Sequence, residues 1–244
     1  MHHHELWITG LLNDYLAGPA NALLNAVNHP AADARYPWAD WMVCEIIVVL
    51  FTVVLFGYLR SRLSVDRPGK LQHTFEFIYD FVRSSSEEVA GEQGPKYVAF
   101  FGTIFIFILF MNLIGIIPGF VSPTMYAMVP LGLAVSTFLF YNGAGIRQQG
   151  LGYAKQFLGP MLFLAPLMIP IEIISNLARP LSLTVRLFAN MFAGEQVYLT
   201  FLNLTKILIP VIFIGLHTFV SLLQAYIFML LAMVYVGGAV SHEH

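Results

Sequence analysis

The stretch YVAFFGTIFIFILFMNLIGIIPGFVSPTMYAMVPLGLAVSTFLFYNGAGI, residues 97–146, runs for 50 residues without an Asp, Glu, Lys, Arg or His. A helix needs about 20 mostly apolar residues to cross a hydrocarbon core of about 30 Å. The block is too long for one crossing and long enough for two. Pro118, Gly119, Ser122 and Pro123 stand at its middle, and such residues end helices and make turns. It therefore predicts two membrane spans, residues 97–118 and 124–146, joined by a tight turn.

Upstream, Trp41 to Leu59 is apolar enough for another span, 38–60, with Trp38 and Trp41 as interfacial anchors. Between this span and the central block the pattern changes. Leu71, Phe75, Ile78, Val82 and Val89 share one helical face, while Glu76, Asp80, Arg83 and Glu87 share the other. Residues 68–91 thus predict an amphipathic helix on the cytoplasmic interface or on a partner protein. Downstream, Gln156 to Ser241 is a third apolar block, turned near Asn203 to Pro210. It gives two more spans, 160–202 and 207–239. Eight of the twelve basic residues fall in two alternate connections: Arg60, Arg62, Arg67, Lys70, Arg83 and Lys96 in one, Arg147 and Lys155 in the other. The positive-inside rule makes those connections cytoplasmic. After five crossings the arm 1–37 is then external and the C-terminus internal. No internal repeat is evident, so the expectation is one all-α integral membrane domain.

Composition agrees with this and excludes other classes. Hydrophobic residues make up 58% of the 244 and charged residues 11%, against about a quarter charged in soluble domains. Mean hydropathy is +0.73. A net charge of -2 supplies no basic field for nucleic acid. Cys44 is the single cysteine, which rules out an internal disulfide or a cysteine-based metal site. The first residues lack a signal-peptide pattern. His2, His3, His4, His242 and His244 read as solvated terminal histidines rather than a metal site, and no cofactor is expected. There is no phosphate-binding glycine loop, nucleophile elbow or zinc-type His-Glu pair.

The last two helices are too long for a bilayer. Each has some 32 residues, about 48 Å at 1.5 Å per residue, and fits a core of about 30 Å only when tilted by about 50°. A break at Pro180 would relieve this in the first of them. The pair predicts a strongly inclined hairpin wrapped obliquely around something.

Within the hairpin lie charges that each cost at least about 2.5–3.5 kcal/mol to insert, so each is a functional candidate. At 100° per residue, Ser175, Ser182, Arg186, Ala189, Asn190 and Ala193 point within about 60° of one direction. Glu172 and Arg179 join them if Pro180 leaves the phase unchanged. Arg186 thus stands in a strip of small residues, which lets another helix approach. Its rigid, permanently charged fork suits a carboxylate, and the strip places none one turn away. The counter-charge is expected on a neighbouring helix, with a pair to Glu172 or Glu195 as the structural alternative. Glu195 lies about 180° round the helix from Arg186 and must face back into this chain. On the next helix His217, Ser221 and Gln224 form a polar stripe at i, i+4 and i+7. With the turn centred near Lys206, Glu195 and His217 are 11 residues before and after it, at one depth. Arg186 and Gln224 are nearly level too, yet straight helices cannot pair both sets at once. Glu45 and Lys206, near span ends, are expected to snorkel.

The stretch Val185 to Glu195, VRLFANMFAGE, resembles the signature of the a subunit of bacterial F-type ATP synthases. Leu222 to Phe228, LLQAYIF, is similar to that family's last helix, and Phe110-Met111-Asn112-Leu113 with Pro118 to an earlier span. The likeness covers most of the chain from about residue 38. It implies a stationary subunit of the bacterial inner membrane, against a rotating ring of c subunits that each carry one mid-membrane carboxylate, with the b subunits of the peripheral stalk as further partners. Two offset half-channels would serve that ring. A proton enters from outside past Glu195 and His217 and neutralises a ring carboxylate. After nearly a full turn the carboxylate meets Arg186 and is held ionised, and its proton leaves past Glu172. Asn190 and Gln224 would hold Arg186 or line the path, and Asn112 is a candidate for the outer lining. The loop Ser122 to Met128 departs from the family, since many relatives carry an Asp and an Asn there, and some have an Asp where this chain has Gly115. The competing reading is a self-contained secondary transporter with Arg186 binding an anion, although such proteins commonly show the internal repeats missing here. The coupled ion is expected to be the proton, because Glu195 and His217 titrate.

Overall fold

The computed structural model describes residues 6–26, 35–64, 68–117, 119–150, 153, 165–204 and 208–240. Seven helices carry them: α1 Trp7–Ala26, α2 Asp40–Ser61, α3 Lys70–Ala90, α4 Val98–Ile114, α5 Met128–Gln149, α6 Ala165–Leu204 and α7 Leu208–Val240. No strand occurs among the described residues. Four segments are long and apolar enough to cross a membrane: Asp40–Ser61, the continuous run Lys70–Ile114, Met128–Gln149 and Val211–Val240. The helix α6 is not among them, and it carries Glu172, Arg179, Arg186 and Glu195. Pro118, residues 160–164, the turn at Lys206, the terminal histidines, Arg67 and Lys155 lie outside the described residues.

The helix α7 sits at the centre, packed on α3, α4, α5 and α6, while α2 rests on the outer side of α4. Its buried stripe, Ala225, Phe228, Met229, Ala232, Met233 and Val236, recurs at helical spacing and meets Phe101, Ile104, Ile108 and Tyr141 in one apolar core. Small residues let the helices close in. A Cβ on Gly237 would stand 3.0 Å from the Cα of Ala90, at the end of α3. On α3, Val82 is buried, and Phe75, Ile78 and Val89 pack on the core. Leu71, expected on the same face, is 51% exposed one turn beyond the packed part.

The central apolar block is divided as its turn residues predict. Between α4 and α5, Gly119 takes a φ of +93°, a conformation that only glycine adopts readily, and Pro123–Met125 forms a 3-10 turn. That turn is tied down. Ser122 donates its hydroxyl to the Met111 carbonyl (3.0 Å), and Thr124 donates to Asn112 Oδ1 (2.6 Å). Asn112 in turn donates through Nδ2 to the Ser221 carbonyl on α7 (3.2 Å).

The helix α6 runs unbroken through Pro170 and Pro180. A proline removes one backbone hydrogen bond and crowds the preceding turn. Here the packing of α6 on α5 and α7 accompanies both halves of the helix across Pro180. At 1.5 Å per residue α6 and α7 are about 60 and 50 Å long, well beyond a hydrocarbon core of about 30 Å.

Candidate functional site

Helical phase divides α6 into two faces. Asn176, Leu183, Thr184, Leu187 and Met191 are buried against the rest of the protein. Ser175, Ser182, Arg186, Ala189, Asn190 and Ala193 are exposed. Arg186 makes no hydrogen bond or ion pair with any described residue. The ion pairs among the described residues are His73 with Glu76 (3.5 Å) and Arg83 with Glu87 (3.2 Å), both on α3. Pairing of Arg186 with Glu172 or Glu195 is therefore not seen among the described residues. The Arg186 guanidinium is presented outward on a surface with small side chains.

Glu195 turns the other way. It lines a small cavity of about 10 Å³ with Gly115, Ile116, Tyr198, Ile214 and His217, a volume near the minimum for a single water. His217 is 8% exposed, and neither ring nitrogen has a hydrogen-bond partner among the described residues. The same imidazole lines a second cleft, of about 240 Å³, between Asn190, Ala193, Gly194, Val197, Phe213, Leu216 and Val220. His217 thus forms part of the wall of both spaces. One holds the Glu195 carboxylate, and the other reaches the Asn190 side of α6, where Arg186 is exposed. Gly194 makes this possible, for a Cβ there would stand 2.8 Å from Nδ1 of His217.

Ser221 and Gln224 continue the stripe from His217, and both are buried. Gln224 faces into the protein while Arg186 faces out, and no hydrogen bond joins them. The two depth-matched pairs are resolved in favour of Glu195 and His217. Asn112 is fully buried, and its amide links the Ser122–Thr124 turn to α7. Tyr126, just beyond that turn, stacks on Trp41 with ring centroids 5.6 Å apart. Burial pushes its phenol up, and the nearby charges of Asp40, Cys44 and Glu195 add to this.

At the other end of α6, Arg179 is close to Arg186 in phase, about 20° away by helical geometry. Its long side chain nevertheless folds back over two aromatic faces, 5.2 Å from the ring centre of Tyr235 and 5.9 Å from that of Tyr141. Tyr141, fully buried on α5, donates its hydroxyl to Asn176 Oδ1. Arg179 is thereby caged between α5 and α7. Glu172, one turn before Asn176, is half-buried at the same end. The Tyr153 phenol there is held up by burial, then by Tyr141, with Glu172 adding to the rise and Arg179 opposing it.

The family model of the ATP synthase A chain matches residues 41–237, which span α2 to nearly the end of α7. The chain belongs to the ATP synthase A chain family. ATP synthase subunit a of Solibacter usitatus (strain Ellin6076) is 60% identical over 235 residues, covering 96% of this chain and all of the relative. The subunit a of Koribacter versatilis (strain Ellin345) is 47% identical over 242 residues, 99% of each chain. That of Sulfurihydrogenibium sp. (strain YO3AOP1) is 38% identical over 204 residues, 83% of this chain and 98% of the relative. In this A-chain family member, sequence reasoning missed Gly194, Tyr198 and Gly115 around the Glu195 cavity, and the Tyr141–Arg179–Tyr235 cage. A glycine inside a helix costs about 1 kcal/mol relative to alanine, so Gly194 carried a signal of close approach. The cage carried none, because its rings come from α5 and α7.

Proposed function

We propose that the chain is the stationary proton-translocating subunit of a bacterial F-type ATP synthase, with Arg186 facing the mid-membrane carboxylates of a rotating c ring. The observation that carries this is the outward exposure of Arg186 on a small-residue face with no counter-charge among the described residues. A permanent cation in a bilayer needs an anion, and a passing carboxylate meets that need one ring subunit at a time. The chain performs no bond chemistry of its own. It takes part in ATP synthesis by coupling proton flow to rotation.

The geometry supports a route in steps. A proton from outside reaches the Glu195 carboxylate, with the Asn112-held turn forming the outer wall. His217 stands between the Glu195 cavity and the cleft toward Asn190, so its imidazole relays the proton to the face of α6 that meets the ring. The ring carboxylate becomes neutral and moves into lipid. On returning it ionises beside Arg186, because a nearby positive charge favours the carboxylate form. The released proton leaves past Glu172 to the cytoplasm. Gln224 backs this path from α7. The coupled ion in this scheme is the proton, since both relay groups titrate.

This reading makes α6 a fifth crossing, inclined with α7 as a tilted hairpin against the ring. The arm before α2 is outside and the C-terminus inside, in the bacterial inner membrane, with lipid and the b subunits of the peripheral stalk as further neighbours. The deciding experiment is Arg186→Ala in inverted membrane vesicles. We expect ATP-driven proton pumping to be lost with the complex still assembled. Retained pumping would overturn the proposal, and retained pumping with lost uptake of an anionic substrate would favour a secondary transporter.

A further inference from the structure

The helix α1 is built inside out. Its protein-facing residues include Thr9 (1% exposed) and Asn13 (5%), both polar. Trp7, Leu11 and Tyr15, at i, i+4 and i+8, form an outward stripe that is 71%, 46% and 79% exposed, widened by Leu16. A helix on the surface of a soluble protein shows the reverse, with its apolar face inward. The only charged residue in α1 is Asp14.

Its rotation is fixed by hydrogen bonds to the start of α2. The Asn13 amide bonds both backbone groups of Trp38, donating to its carbonyl (3.2 Å) and accepting from its N–H (2.9 Å). The Leu6 N–H donates to Asp40 Oδ1 (3.1 Å). The stripe therefore cannot roll in against the protein. The helix to which α1 is attached is apolar outward as well: Leu50, Phe51, Val53 and Val54 of α2 are all exposed, on a helix long and apolar enough to span. Trp38 and Trp41, of the residue type enriched where spans meet water, stand where α1 is attached.

We propose that α1 lies in the membrane–water interface on the side where α2 begins, with Trp7, Leu11 and Tyr15 inserted among the lipid chains. The partner is the phospholipid bilayer itself. Such helices bury an apolar face at the headgroup–acyl boundary and usually add basic residues for anionic lipid. With no Lys or Arg in α1, the attachment is apolar and indifferent to lipid charge.

The test uses the assembled, cysteine-free synthase in phosphatidylcholine vesicles, with single spin-labelled cysteines replacing Leu11, Asp14 or Tyr15. Oxygen, which concentrates in lipid, should relax the labels at 11 and 15 several-fold more than a water-soluble nickel chelate does, with the opposite order at 14. Adding anionic lipid should change neither. Dominance of the nickel chelate at 11 and 15 would overturn the proposal. So would protection from both reagents, which would mean a second protein covers the stripe. In the unsubstituted complex, a carbene photoreagent confined to the bilayer should label Trp7 or Tyr15, and an unlabelled α1 would equally overturn it.

Discussion

Gly194 and His217 meet so closely that the glycine is the space the imidazole occupies: a methyl group at 194 would stand 2.8 Å from Nδ1. Real Cβ atoms do not approach so near, so Gly194→Ala must displace the ring. Overpacking costs about 1–3 kcal/mol, offset in part by about 1 kcal/mol of helix propensity. The complex should therefore assemble while passive proton flux through vesicles stripped of the catalytic sector falls several-fold. Unchanged flux would mean that the position of His217 does not matter to the route.

Asn112 joins three elements through one buried amide. Asn112→Ala removes both bonds of the buried amide. Thr124 keeps the Ser122 hydroxyl at 2.8 Å and the Ser221 carbonyl keeps its place in the α7 ladder, so the loss is about 1–3 kcal/mol in all. In a chain of this size 1 kcal/mol shifts a thermal midpoint by about 2–4 °C, so a loss of several degrees is expected in the detergent-solubilised complex. Thr124→Val removes one of the two side-chain links and should cost less. Equal midpoints for all three proteins would show that the turn is held by packing alone.

The Arg179 cage depends on ring faces as well as on a hydroxyl. Tyr235→Phe keeps its ring and should leave the amount of subunit in membranes near normal. Tyr235→Leu and Arg179→Met each remove a cation–π contact worth about 0.5–2 kcal/mol and should lower that amount. Tyr141→Phe, which orphans Asn176 Oδ1, should fall with the second group. Immunoblots of membranes would give the ranking, and a Tyr235→Phe protein as depleted as Tyr235→Leu would contradict it.

Tyr126 supplies a dependence on alkali. Burial raises its phenol above the ordinary value, so the folded chain keeps a proton that the unfolded chain releases near pH 10. Stability should then fall as pH climbs from about 10 toward the raised folded value. Tyr126→Phe has no proton to lose and should show a shallower decline. Identical alkaline unfolding curves for the two proteins would rule this out.

Much of the fold can be read from residue order, for reasons visible at particular positions. The helices α2, α4 and α5 coincide with apolar runs that water would not tolerate, and α3 with a two-faced pattern. The outward face of Arg186 follows from 100° per residue alone. Glu195 and His217 share a cavity, as their equal offsets from Lys206 suggest. What could not be read depends on neighbours distant in sequence. Pro180 threatens the helix locally, yet α6 runs through it where it packs on flanking helices. Arg179 shares the phase of Arg186 and yet turns inward, because two tyrosines from other helices lie within reach of its long side chain. Gly115 gives no hint that Ser122 folds back on it, where a Cβ would stand 2.8 Å from that of Ser122. Residues 1–37 are expected only as an external arm, and the helix α1 within them is oriented by contact with Trp38 and Asp40.

The unpartnered outward charge of Arg186 has a consequence for how cells make this chain. On the proposed function, a newly inserted copy carries a cation toward lipid at a cost of at least about 2.5–3.5 kcal/mol, and that penalty persists until a carboxylate docks beside it. The orphan copy is thus the least stable form the chain adopts in a membrane. On that proposal, production of the two partners has to stay in step, and surplus copies differ from assembled ones by an unneutralised charge open to quality-control proteases.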